Sequence, residues 1–248
     1  MNSPGLFVTA TDTGVGKTLV SCAIAAALRR QDSSIRVGVS KPFSSGCRLE
    51  REGLVNEDTE ALAYFADARQ PLDVINPIRF RKPLAPAVAA ADKRARIDYD
   101  ALQRGMETVA ADADVTLVEG AGGLFVPIDP DHPRRTMLDL AAAIGYPVLV
   151  VCRSLLGTLN HTAMTVELLR RRNCRVAGIV MNGFDAEIEN TDPSIKTNRQ
   201  WLEKMTGSSV VAVIPRFKPE LIQPHKGVLD EALIDLMSTI HWRGLAGW

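Results

Sequence analysis

The 248 residues suit one α/β domain, near the upper end of that class and long enough to bury a substantial core, so a single domain over 1–248 is the expectation. Lysine plus arginine balances aspartate plus glutamate at 29 each, which removes the general electrostatic attraction to nucleic acid or an anionic membrane, and 5% aromatic residues offer no platform for stacking bases. With 46% hydrophobic and 23% charged residues, the composition excludes disordered and fibrous classes.

The first apolar run, 6–9, leads directly into Thr11-Asp12-Thr13-Gly14-Val15-Gly16-Lys17-Thr18 and then into helical periodicity over 16–30. This reads as a phosphate-binding loop. Backbone N–H groups around Gly14 to Lys17 can converge on phosphate oxygens at a helix N-terminus, Lys17 can reach the β- and γ-phosphates, and the Thr18 hydroxyl can bind Mg²⁺. The strict pattern has glycine where Thr11 stands, but Gly16-Lys17-Thr18 is intact and a strand and a helix flank it in the required order.

A second apolar run, 36–40, ends at Lys41, and the stretch 41–86 then breaks the rhythm with several prolines and one clear helix, 57–69. Such an excursion often carries function. Asp58, in the first turn of that helix, is a candidate acid for the site, or it simply complements the helix dipole. A helix over 99–112 precedes the strand 115–119, whose last residue, Glu119, is followed by Gly120-Ala121-Gly122-Gly123. A carboxylate beside such open backbone suits a second Mg²⁺ ligand, since glycines let a phosphate or substrate approach closely.

Strands at 148–152, 176–181 and 210–214 then alternate with helices at 137–144, 158–172 and 197–205, and 229–239 supplies a last helix. The alternation predicts an α/β fold with a mostly parallel sheet and helices on both faces. Ser154 to Asn160 opens a helix whose free N–H groups form an anion site, or which Thr158 or Asn160 merely caps. Asn182-Gly183 is a turn or a ligand contact. Cys22, Cys47, Cys152 and Cys174 form no CxxC pair, and His132, His161, His225 and His241 have no metal-ligand spacing and read as surface or capping residues. The N-terminus lacks the features of a signal peptide, and the most apolar later stretch, 140–152, is interrupted by Gly145 and Pro147. Reduced thiols in a cytoplasmic protein, with no membrane and no nucleic-acid partner, are the expectation.

Three motifs in this order, Thr11 to Thr18, Lys41-Pro42-Phe43-Ser44-Ser45-Gly46 and Val118-Glu119-Gly120-Ala121-Gly122-Gly123, resemble the dethiobiotin synthetases. These are ATP-dependent carboxylases that close the ureido ring in biotin synthesis, and the resemblance extends from the first strand to at least Glu220. It implies a P-loop NTPase-like fold and a homodimer with its site at the subunit interface. It also implies conversion of 7,8-diaminopelargonic acid, CO₂ and ATP, with Mg²⁺, to dethiobiotin through a carbamate and a carbamic-phosphoric anhydride.

By the same resemblance, Lys17 and Lys41 are catalytic, and Thr18, Asp58 and Glu119 hold Mg²⁺. Gly14, Val15, Gly16, Lys17, Thr18 and Leu19 bind nucleotide together with Asp58, Glu119, Gly120, Ala121 and Gly122. Asn182 with Gly183 reads the adenine edge, and Pro215, Arg216, Phe217 and Glu220 cover base and ribose. Thr13, Lys41 and Ser45 contact the diamine, while Gly157, Thr158, Leu159 and Asn160 receive its carboxylate from the partner subunit. Two positions depart from the pattern: Leu84-Ala85-Pro86-Ala87 stands where the family often has Ser-Pro-His, and Gly14 where it often has an acid.

Two other readings share the phosphate loop. The partition and septum-positioning switch ATPases carry a signature lysine where this chain has Asp12. The amidating synthetases of the cobyrinic acid diamide type need a cysteine-dependent glutaminase, for which no room is left after the last predicted helix; a separate subunit could supply it, which makes this the alternative expectation. Nothing around Asn182 decides between ATP, CTP and GTP.

Overall fold

The computed structural model describes residues 3–51 and 53–248. The six expected runs form one sheet from β1 (Gly5–Ala10), β2 (Val37–Ser40), β3 (Val115–Glu119), β4 (Val148–Arg153), β5 (Val176–Phe184) and β6 (Val210–Pro215). Their order across the sheet is β6-β5-β4-β1-β3-β2, and every neighbouring pair is parallel. Parallel neighbours need long crossovers, which contain α1 (Lys17–Gln31), α2 (Glu57–Ala66), α3 (Tyr99–Ala111), α4 (Met137–Ile144), α5 (Thr158–Arg171) and α6 (Asn198–Thr206). A further helix, α7 (Glu231–Ser238), follows the last strand. Among the described residues no helix is long and apolar enough to cross a membrane.

Strand alternation divides the core into two layers. Leu6, Val8 and Ala10 of β1 share one layer with Val20, Ile24 and Leu28 of α1 and Leu233 and Met237 of α7. Phe7, between them, belongs to the opposite layer with Leu138, Val166, Leu169 and Leu202 from α4, α5 and α6. A side-chain period of two buried on both faces is what a near-continuous apolar strand encodes. The chain runs outward from β1 to β2 and returns through β3, then builds β4, β5 and β6 on the other side. This reversal opens a crevice beyond the carboxyl ends of the central strands.

Several boundaries differ from the sequence reading. Helix α2 stops at Ala66 instead of 69, because Asp67 turns left-handed (φ 53°) and its N–H closes on the carbonyls of Ala63 and Tyr64. Leu229, read as the start of the last helix, instead pairs with Ile222 in a short antiparallel ladder with Val228 and Gln223, and the Asp230 side chain accepts from the Ala232 N–H to start α7 only at Glu231. Strand β5 continues through Asn182-Gly183 to Phe184, so that pair is strand and no turn; Asn182 pairs in register with Arg153, and Phe184 with Pro215. The 41–86 excursion contains more than its one expected helix: Phe43–Ser44 pairs with Ile78–Arg79, Arg48–Glu50 with Gly53–Val55, and Leu72–Ile75 is a single helical turn. Strands of two or three residues are too short to establish a period.

The C-terminal segment is fastened to the start of the sheet. Trp242 is fully buried, its indole N–H donates to the Met237 carbonyl at 2.7 Å, and the Gly5 N–H donates to the Ala246 carbonyl at 3.1 Å. Trp242→Ala is expected to cost about 3–5 kcal/mol of stability, read as a lower urea midpoint with an unchanged slope. An unaltered midpoint would mean that the tail packs without holding β1.

Candidate functional site

A cleft of about 660 Å³ opens at the carboxyl ends of β1, β2 and β3. Its walls come from the phosphate loop, the 43–45 segment, the first turn of α2, the turn at 83–86, the glycine loop after β3 and the distant pair Pro224-His225.

Local backbone requirements explain the glycines of the phosphate loop. Gly14 and Gly16 lie at φ 69° and 103°, a region that side chains disfavour, and a Cβ at position 16 would meet the Asn182 amide nitrogen at 2.2 Å. That nitrogen donates to the Val15 carbonyl at 2.9 Å, so β5 buttresses the loop from behind. Val15 is buried, and Leu19 packs on the core beneath. Opposite, a Cβ at Gly122 (φ 62°) would meet Val126 at 2.6 Å and the Thr13 hydroxyl at 3.3 Å, so the glycine loop and phosphate loop approach closely. Lys17 donates to the Asp12 carbonyl at 3.3 Å. Burial holds its pKa below the ordinary lysine value, with Glu119 and Asp58 opposing and Lys41 reinforcing the shift.

A buried charge cluster forms the floor. The Lys41 ammonium, on a side chain only 5% exposed, donates to Asp58 Oδ2 at 2.9 Å and to Glu119 Oε1. The Thr18 hydroxyl donates to the same Glu119 oxygen at 2.8 Å. Burial opposes the Lys41 charge, but Glu119 and Asp58 together outweigh it and raise the lysine's pKa above its ordinary value. Burial likewise pushes the Asp58 carboxyl up, and Lys41 overcomes this to hold it below the usual carboxylate range. Lys41 is steered from behind: Asn76 donates to its carbonyl at 2.5 Å, the Lys41 N–H donates to the Ile75 carbonyl at 2.8 Å, and Ser44 donates to Asn76 Oδ1.

Glu119 Oε2 is buried and has no hydrogen-bond partner among the described residues. A buried carboxylate oxygen left bare is costly, and a divalent cation carried in with a phosphate would satisfy it. Among the described residues no three His, Cys, Asp or Glu side chains converge as a metal set. Two carboxylates and one hydroxyl, with phosphate and water completing the shell, suit Mg²⁺, which keeps waters and takes one or two protein carboxylates. Glu119, Asp58 and Thr18 therefore fit that ion.

Of the residues singled out in the sequence, Thr13, Gly14, Gly16, Lys17, Thr18, Lys41, Ser45, Asp58, Glu119, Ala121 and Gly122 line this one cleft. Gly120 lies behind it, where a Cβ would press on the Phe7 ring at 3.1 Å. Asn182 and Gly183 sit at the end of β5, and Pro215 ends β6. The Arg216 N–H donates to the Phe184 carbonyl at 2.7 Å, Phe217 packs on the core, and Glu220 is exposed in a single turn. Gly157, Thr158, Leu159 and Asn160 stand at the start of α5, outside the walls of this chain's cleft. Sequence reasoning missed Asn56, which caps α2 through the Thr59 N–H, and Asn76 behind Lys41. The Asn56 cap was readable from the acidic turn that follows it, whereas nothing local marked Asn76 or His225. Leu84, Ala85 and Pro86, where the sequence departs from Ser-Pro-His, add an apolar wall beside Phe43 and Val126.

A family model described as an AAA domain matches residues 4–224. A protein named ATP-dependent dethiobiotin synthetase from Anaeromyxobacter sp. (strain K) is 44% identical over 217 residues, covering 88% of this chain and 92% of its own. One of the same name from Thermodesulfovibrio yellowstonii is 36% identical over 216 residues, covering 85% and 88%. Among solved structures, the MinC:MinD cell division complex of Aquifex aeolicus aligns with TM-score 0.56 at 17% identity, over 99% of this chain and 97% of that one. A ParA family ATPase from Chlorobium tepidum aligns with TM-score 0.56 at 14% identity, over 97% and 98%. At such identities the likeness is one of fold, the doubly wound phosphate-loop architecture.

Removing Lys41 alone leaves Glu119 as an unpaired carboxylate in the floor. Lys41→Ala is therefore expected to lose about 3 kcal/mol or more of stability in urea, and adding Glu119→Gln to it should restore a large part of that loss. Additive losses in the double variant would mean that the two groups do not depend on each other.

Proposed function

Because this chain belongs to the ATP-dependent dethiobiotin synthetase family and is an ATP-dependent ligase of biotin synthesis, we propose that its cleft joins CO₂ to 7,8-diaminopelargonic acid and closes the ureido ring at the expense of ATP. The observation that carries this reading is the meeting of Lys41 with Glu119, Asp58 and Thr18 beside the phosphate loop. One fixed cation there faces both the incoming phosphates and the 43–45 wall.

In the proposed sequence one amine of the diamine attacks CO₂ and loses a proton, forming a carbamate. A carbamate oxygen then attacks the γ-phosphorus as the bond to ADP breaks, giving a carbamic-phosphoric anhydride. The second amine attacks the carbamate carbon, phosphate leaves, the amine nitrogen gives up a proton, and the ring closes. None of these steps needs an enzyme nucleophile, and phosphoryl transfer depends mainly on positioning and charge neutralisation.

This chain's residues supply both. The amides of Gly14 to Thr18 cradle the phosphates, and Lys17 contacts the β- and γ-phosphates, where its burial strengthens the attraction. Lys41 exchanges part of its hold on Glu119 for the carbamate and the transferring phosphoryl oxygens. Thr18, Asp58 and Glu119 would hold Mg²⁺, which when bound neutralises the charge of the phosphates. Thr13 and Ser45 orient the diamine, whose aliphatic chain lies along Phe43, Leu84 and Val126. Because the Asn182 amide nitrogen is committed to the Val15 carbonyl, its oxygen is the group that accepts from the exocyclic amine of adenine. Gly183 and the stretch from Pro215 through Arg216 and Phe217 to Glu220 border the base and ribose.

The substrate carboxylate binds at the Gly157 to Asn160 helix start supplied by a second copy of the chain, through the amides of Gly157, Leu159 and Asn160, since the Thr158 N–H already donates to the Leu155 carbonyl. Leu155, Leu156 and Met164 around that helix start are 38%, 81% and 50% exposed, an apolar surface that supports a homodimer contact there. All four cysteines are free, and three are buried, which supports a reducing, cytoplasmic setting.

Purified protein given MgATP, bicarbonate and 7,8-diaminopelargonic acid is expected to release ADP and form dethiobiotin by mass, with product lost when any component is omitted. Nucleotide hydrolysis stimulated by another carboxylate plus ammonia, with no dethiobiotin, would move the chain to the amidating synthetases. Lys17→Ala is expected to lower kcat about 10²–10³-fold with the unfolding midpoint unchanged, since among the described residues its ammonium's hydrogen bond is to the Asp12 carbonyl. Turnover near that of the unsubstituted enzyme would contradict its role.

A further inference from the structure

Behind the helix start that receives the carboxylate lies a buried polar connection that the reaction itself does not use. Asn198, the first residue of α6 and 2% exposed, donates from its amide nitrogen to the Ser154 carbonyl at 2.8 Å, the Leu155 carbonyl at 3.4 Å and the Ser194 hydroxyl at 3.1 Å. Ser154, fully buried, donates through its hydroxyl to the Asn182 carbonyl at 3.0 Å. The Leu156 N–H donates to Asp192 Oδ2 at 2.8 Å, and Asp192 in turn accepts from the Ser194 hydroxyl and N–H. Asn198 and Asp192 act directly on the backbone of the turn 154–157, Ser194 holds Asp192, and Ser154 ties the turn to β5. Among the described residues the turn's own closure is one backbone bond, from the Thr158 N–H to the Leu155 carbonyl at 3.1 Å.

Such a turn needs outside support. Arg153, Leu155, Leu156 and Gly157 are exposed, Gly157 is left-handed at φ 91°, and α5 has no side-chain cap. Its first N–H groups are consequently directed by the turn alone. A buried amide that donates to two successive carbonyls fixes the turn's peptide planes in a way that surface contacts do not. Ser154 adds a tie to the strand end whose side chain buttresses the phosphate loop. We infer that Asn198 and Ser154 are positioning residues that set the amides of 157–160 for an anionic substrate group and hold that subsite in register with the nucleotide side of the fold. This inference rests on the proposed role of 157–160 in binding the diamine carboxylate.

The test compares wild type with Asn198→Leu and with Ser154→Ala, the second removing one oxygen so that folding is retained. Kd for 7,8-diaminopelargonic acid and for ATP, KM for each, kcat at saturation and the urea midpoint are measured on the intact protein. Asn198→Leu is expected to raise the Kd and KM of the diamine about tenfold, the loss of one charge-assisted contact. Its ATP Kd and saturating kcat should change less than about twofold. Ser154→Ala is expected to move the diamine constants in the same direction by a smaller factor. A role in stability alone would lower the urea midpoint and leave the diamine constants where they were, and that result overturns the inference. So does an equal loss of ATP and diamine affinity. Wild type that binds no diamine at all would overturn the functional reading, and the inference with it, and is told apart because the defect is then present before any substitution.

Discussion

Everything the cleft can do depends on a buried ammonium shared between two carboxylates. Lys41 and Glu119 sit almost out of water at the ends of adjacent strands, and Asp58 reaches them from the first turn of α2. Taking both charges out of water is expensive, and their attraction repays it only if the geometry is held tightly. The structure supplies that hold through strand pairing: β2 and β3 are in parallel register, with Ser40 opposite Val118, so the residue following each projects from neighbouring strand ends. Asn76 and the backbone of Ile75 then fix the lysine's main chain. The pair is thus a product of the sheet, and it lines the cleft at the sheet's carboxyl edge.

The same edge gathers the other components. The phosphate loop leaves β1, the glycine loop leaves β3, and Asn182 ends β5 with its amide against the loop that follows β1. Segments more than a hundred residues apart in the chain meet because parallel strands all present their carboxyl ends on one side. The bare oxygen of Glu119 gives this arrangement a direction. A fully satisfied cluster would be a structural ion pair, whereas one with an unpartnered carboxylate oxygen in the cleft that the phosphate loop lines fits the proposed cation.

Much of the framework was legible in the sequence. The six strands were readable because their centres are short apolar runs, the inner ones buried on both faces, and Gly16-Lys17-Thr18 declared its chemistry between a strand and a helix. Glu119 was visible as an acid closing an apolar strand. Lys41 was not visible in the same way: a lysine after a strand is most often solvated, and only its place in a family motif marked it. That it is buried between Glu119 and Asp58 required three segments brought together by long-range topology. Asn76, Asn198 and His225 were illegible for the same reason, since each has meaning only beside a residue remote in sequence. The tiny strands and single turns of 41–86 lie below the length at which periodicity can speak, and β5 ran through Asn182-Gly183 because pairing with β4 and β6 overrode the local turn preference.

The central claim is that Glu119 serves two masters in turn, holding Lys41 in the free enzyme and a phosphate-bound cation in the working one. The most direct measurement is the affinity for ATP by titration calorimetry with and without Mg²⁺, for wild type and for Glu119→Gln, which keeps the Lys41–Asp58 contact. The account predicts that Mg²⁺ tightens ATP binding in wild type and that this tightening is largely lost in the variant. Equal tightening in both would contradict it, and would leave Glu119 as the structural partner of Lys41 alone.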